Sequence, residues 1–125
     1  MKGENVMAKE ILIIDDEPEI VELIGNRLRA NQFDVVTATD GLQGLERAKD
    51  HRPDLIILDV GMPNMDGYTF VQEFKKIDEL RSVPIIILTA KTHVQSLFKA
   101  EGITDCFLKP FDTILLMSRI KEILK

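Results

Sequence analysis

ILIIDDEPEIVELIGNRLRAN, residues 11–31, holds one complete strand–turn–helix unit. Its first four residues, Ile11–Ile14, are apolar without alternation, as in a strand covered on both faces. Asp15, Asp16 and Glu17 end the run. Pro18 suits the first turn of a helix, and Ile20, Val21, Ile24 and Leu28 recur at the spacing of one helical stripe. The spacing predicts a helix over Pro18–Asn31. A doubly covered strand followed at once by an amphipathic helix is the building block of a parallel sheet with helices packed on its faces.

Outward from that unit the pattern repeats. Val35–Ala38, Leu55–Leu58 and Ile85–Leu88 are further short apolar runs, and Cys106–Leu108 is a weaker fifth. Between and after them lie helical patterns over Gly41–His51, Asp66–Ile77 and Asp112–Leu124, with a shorter, less regular one over Thr92–Glu101. Asp112 is well placed as an N-cap. The expected fold is a single α/β domain, (βα)5, with a doubly wound five-stranded parallel sheet, right-handed crossovers and helices on both faces. The domain is expected over residues 9–125, behind a frayed leader over residues 1–8.

Composition excludes several classes. With 125 residues there is room for one core. No apolar run approaches the length of a membrane span, and the polar N-terminus lacks a signal peptide's apolar stretch. One cysteine, Cys106, excludes a disulfide framework, and a reducing cytoplasm is the expected compartment. A net charge of −5 argues against direct nucleic-acid binding. The charge is uneven: residues 1–60 carry 7 basic and 13 acidic side chains, residues 61–125 carry 9 and 8. That asymmetry fits acids gathered around a cation.

An open parallel sheet binds ligands beyond the carboxyl ends of its strands. The residues there are Asp15, Asp16 and Glu17 after the first strand, Asp59 after the third, Thr89 and Ala90 after the fourth, and Lys109 and Pro110 after the fifth. Each alone is an ordinary cap, turn or solvated residue; together they form a pattern. Asp15, Asp16 and Asp59 converge if their strands are neighbours, and carboxylates that close must protonate, separate or share a cation. An all-oxygen set selects Mg²⁺ or Mn²⁺. Zinc is disfavoured by the single cysteine and by the placing of His51 and His93 away from strand ends. Metal, Lys109 and the Thr89 hydroxyl together are equipment for a phosphoryl group, and Asp59 is the candidate carboxylate nucleophile. A dinucleotide fold needs Gly-x-Gly-x-x-Gly where Asp-Asp-Glu-Pro stands; a P-loop and a Gly-x-Ser-x-Gly elbow are missing. A haloacid-dehalogenase-type phosphatase expects an Asp where Gly61 stands.

ILIIDDEP (Ile11–Pro18), DLIILDVGMPNMDG (Asp54–Gly67), ILTA (Ile87–Ala90) and LKPF (Leu108–Phe111) occur in this order. On these motifs the chain resembles the receiver domain of two-component response regulators, chemotaxis-regulator-like and of flavodoxin-like fold, over Lys9–Lys125. The resemblance implies a phosphoprotein with Asp59 as phosphoacceptor for a sensor histidine kinase or histidine phosphotransfer protein. Its only chemistry would be its own phosphorylation and dephosphorylation. The resemblance implies Asp16, Asp59 and the Gly61 backbone carbonyl as Mg²⁺ ligands, with Asp15 acting through water. It implies Thr89, Ala90 and Lys109 as switch and phosphate-contacting residues. Met62, Pro63, Asp66, Gly67 and Pro110 would shape the loops, with Lys109–Pro110 cis. Partners would be met through the predicted fourth helix, fifth strand and fifth helix.

Two departures stand out. Cys106 occupies the position where receivers carry a switch aromatic; Phe107, one residue on, points to the opposite face and is expected in the core. The interval from Thr89 to Lys109 is short, so the fourth helix or its leading loop is shortened. Both leave open an alternative, a receiver-fold interaction module that does not switch. On the last helix Leu115 lies opposite the stripe of Leu116, Met117, Ile120 and Leu124, so it and Ile114 are expected on the partner face, near Leu97 or Phe98. The chain is expected to be a stand-alone receiver or one excised from a longer protein.

Overall fold

The structure is a computed structural model in which residues 8–60, 67–90 and 103–125 are described. Five strands, β1 (Glu10–Ile14), β2 (Asp34–Ala38), β3 (Leu55–Asp59), β4 (Ile85–Thr89) and β5 (Asp105–Leu108), form one parallel sheet in the order β2-β1-β3-β4-β5. The helices among the described residues are α1 (Pro18–Ala30), α2 (Gly41–His51), α3 (Gly67–Lys75) and, at the C-terminus, α4 (Thr113–Ile123). The Thr92–Glu101 segment and Asp66 lie outside the described residues. Every strand is where the apolar runs place it, extended by one residue.

Because successive strand residues face opposite sides, the sheet divides the core in two. Leu12, Ile14, Ile56, Leu58, Ile85 and Ile87 pack with Ala48 of α2 and with Phe70, Val71 and Phe74 of α3. Ile11, Ile13, Leu55, Ile57, Ile86 and Leu88 pack with Ile24 and Leu28 of α1 and with Leu116, Met117 and Ile120 of α4. On β5 Cys106 joins the first cluster and Phe107 the second, each half-buried, as the one-residue shift requires. Burial of a large aliphatic side chain contributes about 1.5–3 kcal/mol, and β1, β3 and β4 are buried along nearly their whole length.

Local chemistry sets the ends. Asp40 caps α2 by accepting from Gln43 N at 2.8 Å, while Gln43 Oε1 accepts from Thr39 N at 2.8 Å. Asp112 caps α4 through Ile114 N and Leu115 N. α1 stops at Ala30, with Asn31 as its C-cap. α3 ends at Lys75, two residues before the expected Ile77, because the chain tightens into i→i−3 bonds from Lys76 N to Glu73 O and Ile77 N to Phe74 O. Lys75 Nζ then donates to Arg81 O at 2.9 Å and ties the following turn back to the helix.

The strand order matters most for function. From β1 the chain goes outward to β2, then returns to β3 and continues the other way through β4 to β5. The direction reverses between β1 and β3, which is where such a sheet leaves a crevice beyond its carboxyl ends.

Candidate functional site

Register builds the site. Ile14 pairs with Leu58, so the next residues, Asp15 and Asp59, are neighbours at the crevice. Thr89 pairs with Leu108, and Lys109 N donates to Thr89 O at 2.7 Å, which holds the start of the β5–α4 connection against the end of β4. The Lys109–Pro110 peptide is cis, as expected. From there Lys109 Nζ reaches Asp59 Oδ1 at 2.9 Å, Glu17 Oε1 at 3.2 Å and Asp15 Oδ2 at 4.0 Å.

The carboxylates of Asp15, Asp16, Glu17 and Asp59 each offer an oxygen within 4.8 Å of the others. Asp15 is buried; one oxygen accepts from Glu17 N at 2.9 Å, and the other has no hydrogen-bond partner among the described residues. A buried acceptor without a donor costs free energy that a bound cation removes. Hard oxygen donors, an orphaned buried lone pair and, among the described residues, four carboxylates against one ammonium fit a divalent cation such as Mg²⁺.

The electrostatics follow from that crowding. Burial pushes the Asp15 carboxyl up to about 7; Asp59 and Glu17 add to the rise, while the Glu17 N–H and Lys109 oppose it. Burial also raises Asp59, and the Lys109 ammonium beside it holds that rise back. Burial pulls Lys109 down, but the combined pull of Asp59, Asp15 and Glu17 exceeds it, so the net direction is up and the ammonium stays charged. The site therefore sets a fixed cation among buried acids whose ionisation burial opposes.

Most of the residues singled out in the sequence come together. Asp15, Asp16, Asp59 and Lys109 converge, and buried Thr89 closes the end of β4 next to Lys109. Ala90 is exposed just beyond it. Gly67 opens α3. Gly61, Met62, Pro63 and Asp66 lie outside the described residues, as do His93, Leu97 and Phe98. His51 is at the far end of the sheet, 3.5 Å from Glu10, away from the acidic cluster. Glu17, which the sequence places at the strand end without a role, joins the cluster through Lys109. The available signal was its place two residues past Asp15, on the turn that faces Lys109. Leu115 and Ile114 are 61% and 70% exposed, as the helical phase predicts.

The response regulator receiver domain model matches residues 11–121. The DNA-binding dual master transcriptional regulator RpaA of Synechocystis sp. is 35% identical over 117 residues, covering 92% of this chain and 48% of the regulator. The chain thus spans about half the length of the first curated relatives it matches. Among solved structures, the chemotaxis response regulator CheY4 of Vibrio cholerae superposes with a TM-score of 0.87 at 31% identity, covering 93% of this chain and 98% of that one. The receiver domain of the sensor histidine kinase PA1611 of Pseudomonas aeruginosa, solved with a magnesium ion coordinated in its active-site cleft, gives 0.86 at 30%, covering 94% and 99%. No helix among the described residues is long and apolar enough to cross a membrane. A parallel sheet of this order, an acidic cluster at its switch point and a lysine reaching in from the last strand agree with those matches: the chain belongs to the response regulator receiver domain family.

Proposed function

We propose that the chain is a phosphoryl-accepting signalling switch in which Asp59 takes a phosphoryl group from a phosphohistidine of a sensor histidine kinase or histidine phosphotransfer protein. The observation that carries this reading is the 2.9 Å contact of Lys109 Nζ with Asp59 Oδ1 inside a cluster of four carboxylates. An Asp59 oxygen bonds to phosphorus as the donor's P–N bond breaks, and the leaving imidazole keeps the electron pair and takes up a proton. Lys109 spreads the charge on the phosphoryl oxygens, and the Thr89 hydroxyl is the donor expected to follow the phosphate. Asp15, Asp16 and Asp59, with the Gly61 carbonyl, would hold Mg²⁺ or Mn²⁺, whose chemistry is to neutralise phosphoryl charge. Ala90 is assigned with Thr89 and Lys109 to the phosphate-contacting switch, and Pro63, Gly67 and Pro110 to shaping the surrounding loops.

Phosphorylation then shifts a conformational equilibrium by the difference in contact energy between its two states. The exposed Ile114 and Leu115 support a readout through β5 and α4, by a protein target or a second copy. Intact mass after treatment with a small phosphodonor and Mg²⁺ tests the assignment. One added phosphoryl group that disappears in Asp59→Asn is expected; no addition, or one that persists in that variant, overturns it.

A second reading, an interaction module that keeps the fold without switching, is favoured by Cys106, a small side chain at the position of the family's switch aromatic. Target binding that is equal before and after phosphorylation selects it.

A further inference from the structure

Lys109 and the three carboxylates around its ammonium are graded in exposure: the side chains of Asp15, Asp59, Lys109 and Glu17 are 1%, 9%, 18% and 56% exposed. Glu17 is thus the outermost of these carboxylates, at the solvent-facing mouth of the cluster. Its backbone is fixed, since its N–H donates to Asp15 Oδ1 and its carbonyl accepts from Ile20 N and Val21 N. Glu17 is also the N-cap of α1, where a shorter Ser, Thr, Asp or Asn side chain ordinarily turns back to the helix N–H groups. It makes no such cap bond and places Oε1 3.2 Å from Lys109 Nζ instead. The ammonium is therefore divided between an inner carboxylate, Asp59, and an outer one.

We infer that Glu17 is a specificity-determining residue that disfavours free phosphodonors in proportion to their negative charge. Two effects act in the same direction. The outer carboxylate repels an approaching phosphoryl dianion, and it neutralises part of the Lys109 charge that would attract that dianion. Glu17 does not touch the reacting atoms; it works through the field at the mouth and through the position of Lys109. The inference rests on Asp59 being the phosphoacceptor.

The test compares acetyl phosphate, a dianion at neutral pH, with phosphoramidate, a zwitterion of net charge −1. Phosphorylation of the full chain is followed by intact mass for the unaltered protein, Glu17→Gln and Glu17→Asp, each at a Mg²⁺ concentration shown by titration to saturate it. Glu17→Gln should raise the rate ratio of acetyl phosphate to phosphoramidate about two- to fivefold, as for one unit charge roughly 8 Å away between water and protein. Glu17→Asp should restore the original ratio. Added salt should raise the acetyl phosphate rate of the unaltered protein more than that of Glu17→Gln, because screening removes a repulsion only where one exists. A ratio unchanged in Glu17→Gln, with equal salt dependence, overturns the inference while leaving the acceptor role of Asp59 intact. Absence of phosphorylation from either donor in the unaltered protein overturns the acceptor assignment itself, and the inference with it.

Discussion

At the scale of single residues, Asp15 has the most to reveal. The folded protein holds its proton to about pH 7, whereas the unfolded chain releases it near 3.8. The folded state therefore binds more protons in that window, and the contribution of Asp15 to stability falls as pH rises from about 4 to about 7. A cation competes with that proton, so Mg²⁺ should raise the melting temperature more at pH 8 than at pH 6, and Asp15→Asn should flatten the difference. Equal Mg²⁺ shifts at both pH values would contradict the assignment. Lys109 and Thr89 should separate in a second measurement. Lys109→Ala removes the cation that Asp15, Glu17 and Asp59 share, and phosphorylation of Asp59 should slow about 100-fold or more, the usual cost of losing a positioned charge donor. Thr89→Ala removes one neutral hydrogen-bond donor, so it should leave phosphorylation within about tenfold and weaken the response to it. Equal losses in the two variants would refute these roles.

At the scale of elements, α2 meets β1 through a glycine because nothing larger fits. A Cβ at Gly44 would stand 2.6 Å from Ile14 Cδ1 and 3.0 Å from its Cγ1, and Ile14 is fully buried and β-branched, so it has little room to turn away. Gly44→Ala gains about 1 kcal/mol of helix propensity and meets an overpacking cost of about 1–3 kcal/mol. Net destabilisation is expected in urea unfolding, with weaker Mg²⁺ binding because Ile14 immediately precedes Asp15; a more stable variant would show that α2 can back away. The elements were legible where one physical signal dominated. Ile11–Ile14, Leu55–Leu58 and Ile85–Leu88 are apolar enough to admit no other reading, and Asp112 announces α4. The end of α3 was not legible, since Lys76 and Ile77 continue the periodic pattern while the backbone tightens to reach Lys75's contact with Arg81. In the site, Asp15, Asp16, Asp59, Thr89 and Lys109 followed from strand ends alone. Glu17 stands at a strand end as well, but its contact was not legible, because it is made to a lysine 92 positions away.

At the scale of the whole molecule, the two cores on either side of the sheet leave the central strands almost without polar side chains. Unfolding exposes those strands to neighbouring chains. Segments of four or five branched aliphatic residues with high β-propensity are seeds for intermolecular stacking, and flanking charges are what discourage it. Ile11–Ile14 is followed by Asp15 and Asp16, and Leu55–Leu58 lies between Asp54 and Asp59. Ile85–Leu88 lies between Pro84 and Thr89, with no charge adjoining it. Net charge is the remaining defence, and it vanishes near the isoelectric point of about 5.0. Heating should therefore be reversible at pH 8 and end in precipitation near pH 5, as followed by light scattering through a heat–cool cycle. Ile86→Lys, read in the unfolded chain, should delay that precipitation more than Ile13→Lys does. The segment that seals the interior of the folded molecule, β4, is by this reasoning the one through which heated chains first adhere to one another.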